Sequence, residues 1–183
     1  MSQTAVAIRY ARSLIQIANE KGMLDTVYGD MRIVLAGCKQ LKDLRLLLIS
    51  PVIKTDKKVQ VFKEIFSGQV NQITEQFIIL LAKKRRESYL EKIAEEFISQ
   101  YKEQMHIVTA IVTTAIPMDE ATRNNVKEIL KKHYKSDIEI VEKVDAKLIG
   151  GFIITIGNKQ VDMSIHHQLT ELRKNFNQSY ILN

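Results

Sequence analysis

Glycine pairs, adjacent histidines, isolated serines and a run of cations are the residues of this chain that could do chemistry. Gly150-Gly151-Phe152 and Gly157-Asn158-Lys159 suggest a phosphate-binding loop. Such a loop needs a fixed glycine spacing and a Lys-Ser/Thr pair opening a helix, and the chain has neither there. Glycine inside a strand more often marks a bulge or the close approach of another backbone. His166 and His167 are neighbours, so on a helix their rings point ~100° apart and cannot share a metal as an i, i+4 pair would. His106 and His133 have no ligand-type spacing to them. Ser88 and Ser164 lie in no nucleophile motif, and Glu91, Glu95 and Glu96 read as a solvated helix face. Cys38 is the single cysteine, which excludes an intramolecular disulfide and a cysteine zinc cluster. Its place after Ala36 and Gly37 in a helical pattern reads as a packed thiol. The expectation is a non-catalytic protein without a cofactor or a metal.

Lys83-Lys84-Arg85-Arg86 is the one concentrated charge run. Nucleic-acid binding is the rival reading. Against it, the run falls at a helix C-terminus, where cations complement the dipole, and segment 107–115 has no aromatic residue to stack on bases. The net charge is +6, of which residues 1–105 carry +5 and residues 106–183 carry +1. That excess favours an acidic partner or a membrane surface for the first part. The start, Met1-Ser2-Gln3-Thr4-Ala5, does not read as a secretory signal. The longest apolar run, residues 77–82, is far short of the ~20 residues that span a bilayer. Membrane contact is expected to be indirect.

These residues must be positioned by helices in the first hundred positions. Val6, Tyr10, Leu14 and Ile17 mark a first helix over 3–21, stopped by Gly22. A second covers 25–40, with Val27, Met31, Val34, Leu35 and Cys38 inward. A short third covers 41–49 and ends before Pro51. A fourth starts at Thr55, a candidate N-cap, and buries Val59, Phe62 and Phe66. A fifth spans 71–84. A sixth spans 87–105, with Leu90, Ile93, Ala94, Phe97 and Tyr101 on one face. The pattern then changes. Residues 107–115 and 138–144 read as strands, with a helix between them capped by Asp119 and carrying Val126, Ile129, Leu130 and Tyr134. Residues 148–156 read as a strand that turns at Gly157-Asn158 into 159–162. A last helix from Ser164 aligns Ile165, Leu169, Leu172 and Phe176. The fold class is α+β overall: an all-α six-helix bundle over 1–105, then a small α+β domain with a β-hairpin over 106–183.

The first and fifth helices are too apolar for surface helices. Apolar residues stand at 5, 6, 7, 8, 10, 11, 14, 15, 17 and 18 in the first, and 77–82 surround the axis of the fifth. A surface helix needs a stripe only a little over ~100° wide. Both are either central in the bundle or offer a second face to a partner helix.

Residues 144–165, VDAKLIGGFIITIGNKQVDMSI, resemble the signature of the delta subunit of F-type ATP synthase, the family of the oligomycin-sensitivity-conferring protein. Arg9-Tyr10-Ala11-Arg12-Ser13-Leu14, Ser50-Pro51-Val52-Ile53 with Lys57-Lys58, residues 77–86 and residues 109–115 agree with it in order along nearly the whole chain. Ser50 departs from the asparagine usual before that proline, and serine can serve the same turn. The resemblance implies a non-catalytic stator component that links the alpha/beta catalytic head to the b subunits of the peripheral stalk. It resists rotor torque, so that proton flow is coupled to ATP synthesis. It implies that residues 1–105 bind N-terminal helices of the alpha subunits and residues 106–183 bind the C-terminal segment of the b subunits. It also implies a peripheral position on the cytoplasmic face of a bacterial membrane. By matching motif positions, Tyr10, Ser13, Ile17 and Leu80 are the expected alpha-subunit contacts. Gly151 is expected where a side chain would not fit.

Overall fold

The computed structural model describes residues 3–133 and 137–181, with the side chains of 3, 131–133 and 175–181 left aside. Tyr134 and the Phe176 side chain, both expected on helix faces, lie outside what is described. The chain divides into two compact units, Met1–Gln104 and Met105–Asn183.

The first unit is built from α1 (Gln3–Glu20), α2 (Leu24–Gln40), α3 (Lys42–Ile49), α4 (Thr55–Phe66), α5 (Gln72–Lys83) and α6 (Leu90–Gln104). A single 3₁₀ turn, Glu87–Tyr89, precedes α6, where continuous helix from residue 87 was expected. The apolar faces close on one core around Leu14, Met31, Phe62, Phe66, Leu81 and Phe97, all fully buried. Val59 and Leu35 sit at its margin. Most of the apolar excess of α1 and α5 is absorbed here. Ala7, Ala11, Leu14, Ile15 and Ala18 are buried on α1, as are Phe77, Ile78, Leu81 and Ala82 on α5.

Polar groups fix the helix ends. Gly22 (φ 65°) closes α1, with its N–H donating to Asn19 O at 3.0 Å and the Met23 N–H to Ala18 O at 2.9 Å. Thr55 is not the cap of α4. Lys54 holds that position, and Thr55 is the first helical residue. Asn71 caps α5 by accepting from Ile73 N at 3.0 Å. Buried Asp30 on α2 accepts from Asn71 N at 2.8 Å and from the Thr74 hydroxyl at 2.7 Å, which ties α2 to the start of α5. Tyr101 stacks on Tyr28 at 3.9 Å between ring centroids and donates to Asp25 Oδ1 at 2.7 Å. That hydrogen bond and burial push the Tyr101 phenol up to about 12.

The second unit has β1 (Val108–Thr114), α7 (Glu120–His133), β2 (Ile138–Val144), β3 (Phe152–Ile156), β4 (Lys159–Asp162) and α8 (Ile165–Ile181). The sheet order is β2-β1-β3-β4. β1 and β2 pair in parallel, which requires the crossover through α7. β3 and β4 form a hairpin across Gly157-Asn158, with Ile156 opposite Lys159 and Gly157 at φ 54°. The core joins Ala110, Val112 and Ile154 of the sheet to Val126 and Leu130 of α7. Asp119 caps α7, accepting from Thr122 N at 2.8 Å. The strand expected from residue 148 begins only at Phe152. Residues 145–148 form a turn, Leu148 N donating to Asp145 O at 3.0 Å, and Gly151 has φ 75°, outside the β region.

Ser164 caps α8, its hydroxyl oxygen accepting from His167 N at 3.2 Å. Ser164→Ala is expected to cost about 1 kcal/mol, read as a lower urea midpoint with an unchanged slope. The stripe of Ile165, Leu169 and Leu172 lies in register on α8 but is exposed, each side chain 42–52% accessible. Periodicity alone does not distinguish this arrangement from a core-facing helix.

Candidate functional site

After the bundle core is filled, α1 and α5 keep a small surplus of exposed apolar surface. Ile17 is 42% exposed and Leu80 is 46% exposed. Tyr10 is half-buried and meets Phe77 edge to face, with ring centroids 6.3 Å apart. The Arg86 guanidinium stands 5.8 Å from the Tyr10 ring, a cation–π distance. A depression of about 200 Å³ forms here, lined by Val6, Arg9, Tyr10, Ser13 and Arg86. Exposed Ser13 donates its hydroxyl to Arg9 O at 3.0 Å, so it presents an oxygen acceptor outward.

Of the four expected contacts, Tyr10 and Ser13 share this depression. Ile17 and Leu80 are exposed on the same helices but do not line it. Arg9 and Arg86 were not singled out as contacts in the sequence. The signal was present in the cation run, which reads as a solvated helix end when taken by charge alone. The run has a sharper geometry than that. Arg85 occupies the left-handed position after α5 at φ 55°, and this turns Arg86 back towards Tyr10.

Gly151 stands apart, in the second unit. A Cβ there would lie 2.4 Å from Met163 O, 3.0 Å from Ser164 Cα and 3.3 Å from Ile165 N. The neighbouring atoms are backbone, held by hydrogen bonds from Met163 N to Phe152 O (3.0 Å) and from Ile165 N to Gly150 O (3.1 Å).

Among the described residues, no three or more His, Cys, Asp or Glu side chains come together as a metal site would require. Burial pushes the Cys38 thiol up to about 12, so it is a packed, unreactive group. His166 and His167 are both exposed on the first turn of α8. No described helix is long and apolar enough to cross a membrane.

Two compact units, one of them offering an aromatic and basic groove between helices, make the architecture of a docking protein. The family model described as "ATP synthase delta (OSCP) subunit" matches residues 6–176. The chain is similar to "ATP synthase subunit delta" of Cytophaga hutchinsonii, 37% identical over 181 residues and covering 99% of both chains. It is also similar to the protein of that name from Salinibacter ruber, 36% identical and covering 94% of this chain and 90% of the relative. A chain in the cryo-EM structure of the Toxoplasma gondii mitochondrial ATP synthase hexamer shares the fold, with a TM-score of 0.69 at 20% identity and 93% and 96% coverage. The chain belongs to the ATP synthase delta (OSCP) subunit family, whose members are non-catalytic structural components of the enzyme's peripheral stalk.

Proposed function

We propose that this chain is the joint between the catalytic head and the peripheral stalk of its ATP synthase. Residues 1–105 dock N-terminal helices of the alpha subunits, and residues 106–183 hold the C-terminal segment of the b subunits. The observation that carries the first half is the aromatic, basic groove between α1 and α5, beside exposed Ile17 and Leu80. An amphipathic helix would lay its apolar side on these residues. The exposed stripe Ile165, Leu169 and Leu172 supports the second half, as a surface on α8 that a stalk helix would cover. The chain then sits on the cytoplasmic face of a bacterial membrane as a peripheral subunit. Its grip must release slowly, because the turning rotor loads the joint continuously.

The test is a titration of the full chain with a synthetic peptide of the alpha-subunit N-terminus. Tyr10→Glu and Leu80→Glu are each expected to weaken binding by at least ~100-fold, since each sets a charge against an apolar partner surface (~3 kcal/mol). Their melting temperatures should stay close to the parent's, because both side chains reach solvent. Folded variants that bind as well as the parent would remove the groove assignment.

A further inference from the structure

A second depression on the first unit is untouched by that function. It measures about 390 Å³ and is lined by Ile49, Val52, Lys54, Lys58, Arg85 and Glu87, among others. Lys58 is 3% exposed and pairs with Glu87 Oε1 at 2.5 Å. Glu87 Oε2 is buried and accepts no hydrogen bond from the described residues. A buried carboxylate oxygen without a donor is costly, so the position favours an incoming N–H. Three cations line the depression against this one carboxylate, and Lys58 is the only one of them paired with it.

Arg85 adds an independent observation. The end of α5 has the same bonding as the end of α1: Arg85 N donates to Ala82 O at 2.9 Å and Arg86 N to Leu81 O at 2.8 Å. In α1 the left-handed residue of this motif is Gly22, and in α5 it is Arg85 at φ 55°. Glycine is the favoured residue there, and an L side chain is strained. Strain kept at a residue that lines a polar depression is a mark of use.

We propose that this depression is a second docking site, which takes an acidic side chain from a segment of a partner protein. Arg85 and Lys54 hold the carboxylate, and a backbone N–H beside it donates to Glu87 Oε2. The mouth favours a protein segment over a small anion. Val52 is 87% exposed and Ile49 is 64% exposed, apolar area that a peptide flank would cover. Inorganic phosphate would instead set its oxygens against Glu87.

The test uses the full chain, nitrogen-15 labelled, with acetyl-Leu-Glu-Leu-amide as the probe. Its glutamine counterpart and inorganic phosphate are the comparisons. The glutamate peptide is expected to shift the amides of Val52 and Ser88 saturably at millimolar concentration, with the glutamine peptide roughly 10-fold weaker. Arg85→Gly is expected to raise the melting temperature by about 2–4 °C while weakening the glutamate peptide roughly 10-fold. Arg85→Lys should keep part of the affinity. The proposal is overturned if the glutamate peptide does not saturate, or if the glutamine peptide or phosphate binds equally well. It is also overturned if Arg85→Gly binds as the parent does.

Discussion

A Gly151→Val protein is expected to lose its sheet while residues 3–104 stay folded. Three costs coincide at this position. The backbone is at φ 75°, where a left-handed L residue costs about 1–2 kcal/mol. The new Cβ falls 2.4 Å from a carbonyl oxygen, closer than a Cβ can approach. That carbonyl belongs to Met163, in the segment bonded through Met163 N and Ile165 N to Phe152 and Gly150. Relieving the clash means breaking those two bonds, at about 1 kcal/mol each, and releasing the start of α8. The sum is about 3–4 kcal/mol, against roughly 4–12 kcal/mol for a unit of this size. Nitrogen-15 spectra should show the amides of residues 105–181 collapsing to the unfolded region, with those of the bundle in place. Gly151→Ala carries the same Cβ and should lose nearly as much. Gly150→Ala is the contrast, because its Cβ meets only the tip of the Ile165 side chain, at 2.7 Å. That tip can rotate away, so a loss of about 1 kcal/mol is expected. Equal melting curves for Gly151→Val and the parent would show that the strand–helix junction is not fixed as drawn.

Sequence reading located the elements where chemistry repeats with a period. The buried faces of α2 and α6 followed the helical period, and the hairpin turn was marked by Gly157-Asn158. It failed where one residue type serves two settings. Leu148 and Ile149 are apolar and extend the alternation of β3, yet they lie in a turn that ends at a left-handed glycine. Ile165, Leu169 and Leu172 have the spacing of a core face and are exposed, because an interface helix and a core helix obey the same rule. The α+β class was legible, but the sheet order was not, since the parallel pairing of β1 with β2 depends on how α7 folds back. In the groove, Tyr10 and Ser13 came from a local motif. Arg86 joins them only through the reversal at Arg85. Lys58 and Asp30 were missed for the same reason, as their partners Glu87 and Thr74 lie far along the chain.

Lys58→Met is expected to destabilise the bundle by about 3–5 kcal/mol, although methionine fills similar space. The lysine is almost fully buried beside Glu87, and its removal leaves a buried carboxylate with neither oxygen partnered. Lys58→Met/Glu87→Met should return stability to within about 1 kcal/mol of the parent, or above it, because replacing both charges removes the desolvation penalty of each. Urea midpoints of the two variants decide this, and similar losses in both would mean that the pair acts through packing. The double variant also separates two roles of Glu87. As a structural partner it clamps α4 to the turn ahead of α6, and a methionine pair can replace that contact. As a carrier of a buried oxygen that accepts an N–H it has no apolar substitute. A double variant that is as stable as the parent but has lost the acidic peptide would place the free oxygen in recognition. If it keeps the peptide, the ion pair is a device of folding alone.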